Sequence, residues 1–160
     1  MAPLIVLLIT FVIVLVFTRI FLSEFKVSFS ARVAMSVMLL FTAVAHFAFT
    51  EGMAMMIPSF IPFKTILVYF TGFLEILLAI GLLIPATRII AGWCLMGLFI
   101  LLLPANIYAA INNIDYQQGT YDGQGLTYLW FRVPLQIFFI AWVYFSTIKF
   151  YRLPAQNKIV

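Results

Sequence analysis

Glu75 stands in the run from Ile66 to Ile84, which is otherwise almost entirely apolar. Counted from Lys64, it is about eleven residues along a helix, so at ~1.5 Å per residue it lies ~16 Å into a hydrocarbon core about 30 Å thick. A charge at that depth costs about 2.5–3.5 kcal/mol, so the carboxyl must be protonated, paired or turned toward a wet cavity. His46, Asn106, Arg132 and Gln136 are the other polar side chains placed inside or at the mouth of apolar stretches. Together these five could line a pocket for a small molecule, move protons, or form a polar network that only locks helices together.

Helical spacing indicates which way these groups face. Thr71, Glu75 and Ala79 fall at i, i+4 and i+8, with Gly72 beside Thr71, so Glu75 shares a face with small residues that let another helix come close. Thr42 and His46 share a face by the same spacing, and so do Arg132 and Gln136. Such stripes turn inward from lipid. Arg132 starts about 8 Å shallower than Glu75 by helix rise, and its long stem makes it the expected partner of the carboxylate. Pro104 removes a backbone donor and frees the carbonyl around Ile100, with Asn106 close by. One His, one Glu and no Cys pair fall short of the three or four ligands of a usual zinc or iron site, so no metal is expected. No Gly-rich phosphate loop and no Ser-His-Asp arrangement is present.

The elements that must position these residues are five apolar spans, roughly 3–22, 31–50, 65–84, 88–110 and 127–148, each near the 20 residues a crossing requires. In 160 residues, 66% are hydrophobic and 9% charged, and the mean hydropathy is +1.18. That composition excludes an ordinary soluble domain and implies a polytopic membrane bundle. The formal charge of +4 is spread over loops without a basic run, so it argues for orientation in a membrane and against nucleic acid. With the N-terminus outside, seven basic residues fall inside (Arg19, Lys26, Arg32, Arg88, Lys149, Arg152 and Lys158) and two outside, Lys64 and Arg132. The expected topology is therefore N-terminus out and C-terminus cytoplasmic.

Residues 1–22 lack a basic leader and a small-residue cleavage site, so they read as a retained helix. The Met- and Pro-containing stretch from Gly52 to Phe63 is too short to span and is expected along the outer interface, with Met53, Met55, Met56 and Phe60 toward lipid. The segment 112–127 is the only long water-facing connection. Cys94 reads as a small apolar filler. Trp93, Trp130 and Trp142, with Tyr128 and Tyr144, read as interfacial anchors. No internal repeat supports an inverted-repeat transporter.

Several short motifs, in order, resemble the DoxX-like integral membrane proteins of bacteria. They are His46-Phe47, Met56-Ile57-Pro58-Ser59-Phe60-Ile61-Pro62, Tyr69-Phe70-Thr71-Gly72-Phe73-Leu74-Glu75, Gly81-Leu82-Leu83-Ile84-Pro85-Ala86-Thr87-Arg88, Ala91-Gly92-Trp93, Pro104-Ala105-Asn106-Ile107-Tyr108, and Arg132-Val133-Pro134-Leu135-Gln136 followed by Trp142. Each is weak alone, but their order and spacing cover about residues 31 to 150. Val133 departs from the Leu expected between Arg and Pro.

The resemblance implies a four-helix membrane core over 31–150, with 1–30 as an extra N-terminal transmembrane helix and loop and 151–160 as a cytoplasmic tail. It makes His46, Glu75, Asn106, Arg132 and Gln136 the matching polar positions. Because the family takes its name from a subunit of a thiosulfate:quinone oxidoreductase, it implies an accessory subunit of the bacterial inner membrane, linked to quinone or respiratory redox chemistry. The alternative is a structural or assembly subunit with no ligand chemistry of its own, meeting a larger complex through the first helix or the 112–127 loop.

Overall fold

The computed structural model describes residues 2–149, which form an all-α bundle apart from one isolated β-bridge between Asp115 and Thr120. The helices are α1 (Ala2–Leu22), α2 (Val27–Ala48), α3 (Thr50–Met55), α4 (Lys64–Leu83), α5 (Arg88–Ile111) and α6 (Thr127–Val143), the last continuing as a π-helical segment over Tyr144–Lys149. Five of these stretches are long and apolar enough to cross a membrane. The chain is a multi-pass helical bundle suited to a lipid bilayer. Residues 151–160, including Arg152 and Lys158, lie outside the described residues.

Most helix ends fall close to the predicted spans, because length and hydropathy alone define a crossing. α2 begins earlier, at Val27 rather than 31, and polar bonds to α6's continuation explain the difference. Ser28 Oγ donates to the Ser146 carbonyl at 2.6 Å, and Arg32 Nη1 donates to the same carbonyl at 3.2 Å. A helix with two side chains tied down in its first turns has its N-terminal end held against fraying.

α2 lies at the centre, against α1 on one side and α4 on the other. α4 then packs on α5, α5 on α6, and the segment 144–149 returns to α2, closing a four-helix ring of α2, α4, α5 and α6. Its core is built from Met35, Met38, Leu39, Leu82, Leu95 and Val143. α1 is part of the same core. Leu7 is fully buried, Leu4 and Phe11 pack beside it, and the Phe11 ring meets Trp142 edge-on at 5.1 Å. Ile9, Ile13 and Ile20 point outward.

At the end carrying α3, the 112–126 connection is folded back on itself. Asp115 Oδ1 accepts the backbone N–H groups of Gln117 and Gln118 at 2.8 and 3.3 Å, Gly119 takes a left-handed φ of 67°, and Ile114 is buried. This water-facing segment is thus a cap seated on α3 through Tyr116.

Two sequence expectations change in the folded chain, and a third residue gains a partner. The Trp142 indole N–H donates to the Ala31 carbonyl at 3.0 Å and ties α6 to α2. Cys94 is exposed on α5 instead of filling the core, because its face of the helix has no neighbour. Met53, Met55 and Met56 are half-buried rather than open to lipid, whereas Phe60 is exposed as expected.

Candidate functional site

The polar centre of the bundle lies between α2 and α4. Gly72 is what permits it: a Cβ built there would sit 2.9 Å from the Cβ of His46, so the two helices touch backbone to side chain at this level. Glu75, one turn further along α4, is buried at 4% exposure, and His46 at 9%. Two side chains of α2 meet the carboxyl. Thr42 Oγ1 lies 2.8 Å from Glu75 Oε2, and His46 Nε2 lies 3.5 Å from Oε1.

The other side of the imidazole determines its protonation. Nδ1 is 3.1 Å from the Val68 carbonyl and 3.2 Å from Thr71 Oγ1. A carbonyl only accepts, so Nδ1 carries a proton. The Thr71 hydroxyl, within 2.9 Å of the Val68 carbonyl, spends its proton on the backbone and offers a lone pair to Nδ1–H. A bare Nε2 facing a carboxylate would set lone pair against lone pair. At 3.5 Å the two groups are within ion-pair range, and a proton shared across the contact, as imidazolium with carboxylate or imidazole with carboxylic acid, relieves that clash. Both states are neutral overall, which is why a buried pair tolerates this depth. Thr42 completes the network, since its hydroxyl also lies 3.0 Å from the Leu39 carbonyl and can turn between donating to Glu75 and accepting from it.

Of the five sequence-predicted residues, His46 and Glu75 meet directly, while Asn106 and Gln136 bond the backbone of α5. Asn106, 3% exposed, donates from Nδ2 to the Leu102 carbonyl of its own helix at 2.9 Å. Gln136 donates from Nε2 to the Phe99 carbonyl of α5, one residue before the carbonyl predicted to be freed by Pro104, and its Oε1 is buried without a partner among the described residues. Both amides are spent on the backbone of α5, which the proline ring disturbs. Arg132 is not the partner of Glu75: the ion pair that Glu75 makes among the described residues is with His46. Arg132 stays half-buried at the mouth of α6, close enough to Tyr116 to affect its phenol. Burial foremost, and Tyr128 and Asp115 beside it, raise the Tyr116 pKa above the ordinary phenol value, while the Arg132 charge opposes them. Helix rise measures depth alone, and α6 packs chiefly on α5.

Sequence reasoning placed Thr42 with His46, and Thr71 with Gly72 and Glu75, on two inward-turning stripes, and in the folded chain these two stripes meet. It missed Ser36, whose hydroxyl donates to the Ala79 carbonyl at 2.8 Å one turn deeper in the same seam. Among the described residues no three His, Cys, Asp or Glu side chains gather as a metal site would need. Gly72→Ala is expected to destabilise the bundle by about 1–3 kcal/mol, because α2 must retreat from a Cβ. Comparing detergent-phase thermal unfolding of the variant and the parent chain checks this, and an unchanged midpoint would refute the close contact.

A family model described as a domain of unknown function (DUF8561) matches residues 35–147, which take in the seam and the Asn106, Arg132 and Gln136 positions but not α1. No curated protein and no solved structure matches the chain.

Proposed function

We propose that this chain, which belongs to the DUF8561 family, is a DoxX-like accessory subunit of a membrane redox assembly, with a structural rather than catalytic part in it. The carrying observation is that most of its intramembrane polar side chains are engaged within the bundle, Ser30 Oγ and Gln136 Oε1 being exceptions among the described residues. His46, Thr42, Thr71 and Glu75 bond one another or nearby carbonyls, and Asn106 and Gln136 bond the backbone of α5. A quinone carbonyl needs a free donor, and the donors around Glu75 are already engaged, so this pair does not fit a quinone headgroup. Placement in a redox assembly rests on the resemblance to DoxX-like proteins. Placement in the bacterial inner membrane rests on that same resemblance, and the N-terminus-outside orientation rests on the basic residues, since Arg19, Lys26, Arg32, Arg88 and Lys149 share one end of the bundle and Lys64 and Arg132 the other.

The contact between His46 Nε2 and Glu75 Oε1 favours a second reading, in which the two side chains share a proton. Here the chain passes that proton to a partner whose own redox centre reduces a quinone, and the pair is reloaded from water. Electrons come from the partner, and this chain moves only the proton.

Glu75→Gln separates the readings. The amide can donate to Nε2 and accept from Thr42, so the bundle is retained, yet the transferable proton is gone. In a gently solubilised assembly identified by mass spectrometry, unchanged quinone-dependent turnover supports the structural role. A loss of roughly tenfold or more, the least that general acid–base groups typically contribute being ~100-fold, supports proton delivery. If no stoichiometric protein partner accompanies the chain, the accessory-subunit reading fails in both forms.

A further inference from the structure

At the α3 end of the bundle is an open cleft of about 350 Å³, separate from the His46–Glu75 seam, whose polar lining comes from Glu51, Ser59, Lys64, Thr65, Tyr108 and Tyr121. Its floor is apolar, from Ala54, Met55 and Ile114. The volume is at the small end of ligand sites, the size for a headgroup rather than for a large cofactor.

Two features give the cleft chemical character. It carries one acid and one base, Glu51 and Lys64, and among the described residues neither makes an ion pair or a side-chain hydrogen bond. Opposite charges lining one small cleft without pairing leave both available to a ligand that carries the complementary pair. The hydroxyls of Ser59, Thr65, Tyr108 and Tyr121 likewise lack the cross-links that Thr42 and Thr71 make deeper in the bundle. The cleft also lies beside exposed apolar rings. Ser59 and Lys64 are sequence neighbours of Phe60 and Phe63, which are 82% and 74% exposed, and Lys64 opens the membrane-spanning α4.

We infer that this cleft binds a zwitterionic phosphoethanolamine group, its ammonium on Glu51 and its phosphate on Lys64 and the tyrosine hydroxyls. An anionic phosphoglycerol group would set a phosphate against Lys64 but bring no cation to Glu51. A phosphocholine would bring a cation with no N–H to donate. Only the ethanolamine form satisfies both charges with charge-assisted hydrogen bonds. The group can arrive on a phospholipid or on a soluble molecule. Phe60, Phe63 and Ile66, exposed beside the cleft, offer acyl chains an apolar surface.

Native mass spectrometry of the delipidated chain, titrated in parallel with phosphatidylethanolamine, phosphatidylcholine and phosphatidylglycerol, tests the site. The ethanolamine lipid is expected to bind most tightly, and Glu51→Gln is expected to weaken it roughly tenfold toward the choline lipid, the scale of one charge-assisted hydrogen bond. Lys64→Gln is expected to weaken all three. Both positions are solvent-accessible, and an unchanged thermal midpoint of the lipid-free variants shows that the fold is kept. Soluble glycerophosphoethanolamine supplies the second arm. Full competition identifies a free headgroup as sufficient, and weak competition identifies the membrane lipid. Equal binding of the three lipids, or a preference that survives Glu51→Gln, overturns the inference.

Discussion

His46→Leu with Glu75 left in place is expected to destabilise the bundle by about 3–5 kcal/mol, the cost of leaving one member of a buried ion pair uncompensated. Glu75 would keep Thr42 as its remaining side-chain partner, and a single neutral hydroxyl does not neutralise a carboxylate at this depth. Two further variants make the expectation specific. Glu75→Gln should stay within about 1 kcal/mol of the parent, because the amide can satisfy both Nε2 and Thr42. The double variant His46→Leu, Glu75→Leu should recover most of the loss, since apolar residues of similar volume often replace a buried pair without penalty. Reversible unfolding in mixed micelles measures all four chains in one cycle. Equal destabilisation by Glu75→Gln and His46→Leu would show that shape alone matters at the seam and would remove the proton-sharing account.

Gly52→Ala should be the most damaging alanine substitution at a glycine, at about 1–3 kcal/mol or more, because overpacking against backbone has no side chain to yield. The added Cβ would overlap the Tyr116 carbonyl oxygen and lie 2.9 Å from the Tyr116 Cα. α3 and the cap would have to part, exposing the 112–126 segment to proteases and disturbing the wall of the Glu51–Lys64 cleft. Gly97 is the internal comparison: a Cβ added there on α5 would meet nothing within 4 Å. Gly97→Ala should be neutral or add up to ~1 kcal/mol through helix propensity alone. Thermal unfolding with limited proteolysis of the cap checks both, and comparable midpoints for the two variants would contradict the contact between α3 and Tyr116.

Much of the seam was legible because helical periodicity is a local property. Thr42 and His46 on one helix, and Thr71, Gly72 and Glu75 on the next, each share a face whatever the rest of the chain does. The small-residue face around Gly72 also announced a close helix approach, which the space at Gly72 bears out, since an added Cβ would come within 2.9 Å of the His46 Cβ. Pairing was less legible. Arg132 lies at a suitable depth on its own helix, but depth says nothing of lateral position, and α6 packs on α5 while α2 packs on α4. The orientation of α1 was not legible at all. Its sequence is apolar on every side, so no periodic stripe marks Leu7 and Phe11 as the inner face and Ile9 and Ile13 as the outer one.

By itself the sequence determined the number of spans, their approximate ends and the inward-turning polar stripe on each helix. Those follow from bilayer thickness, from the need to satisfy backbone groups within each helix, and from the 3.6-residue turn. The tertiary structure alone decided that Glu75 meets His46 rather than Arg132, that Asn106 and Gln136 serve the α5 backbone, and that Glu51 and Lys64 share a cleft. Lipid is as apolar as a leucine face, so burial does not sort helix partners as it does in water. That choice falls to close packing and hydrogen bonds between residues distant in sequence.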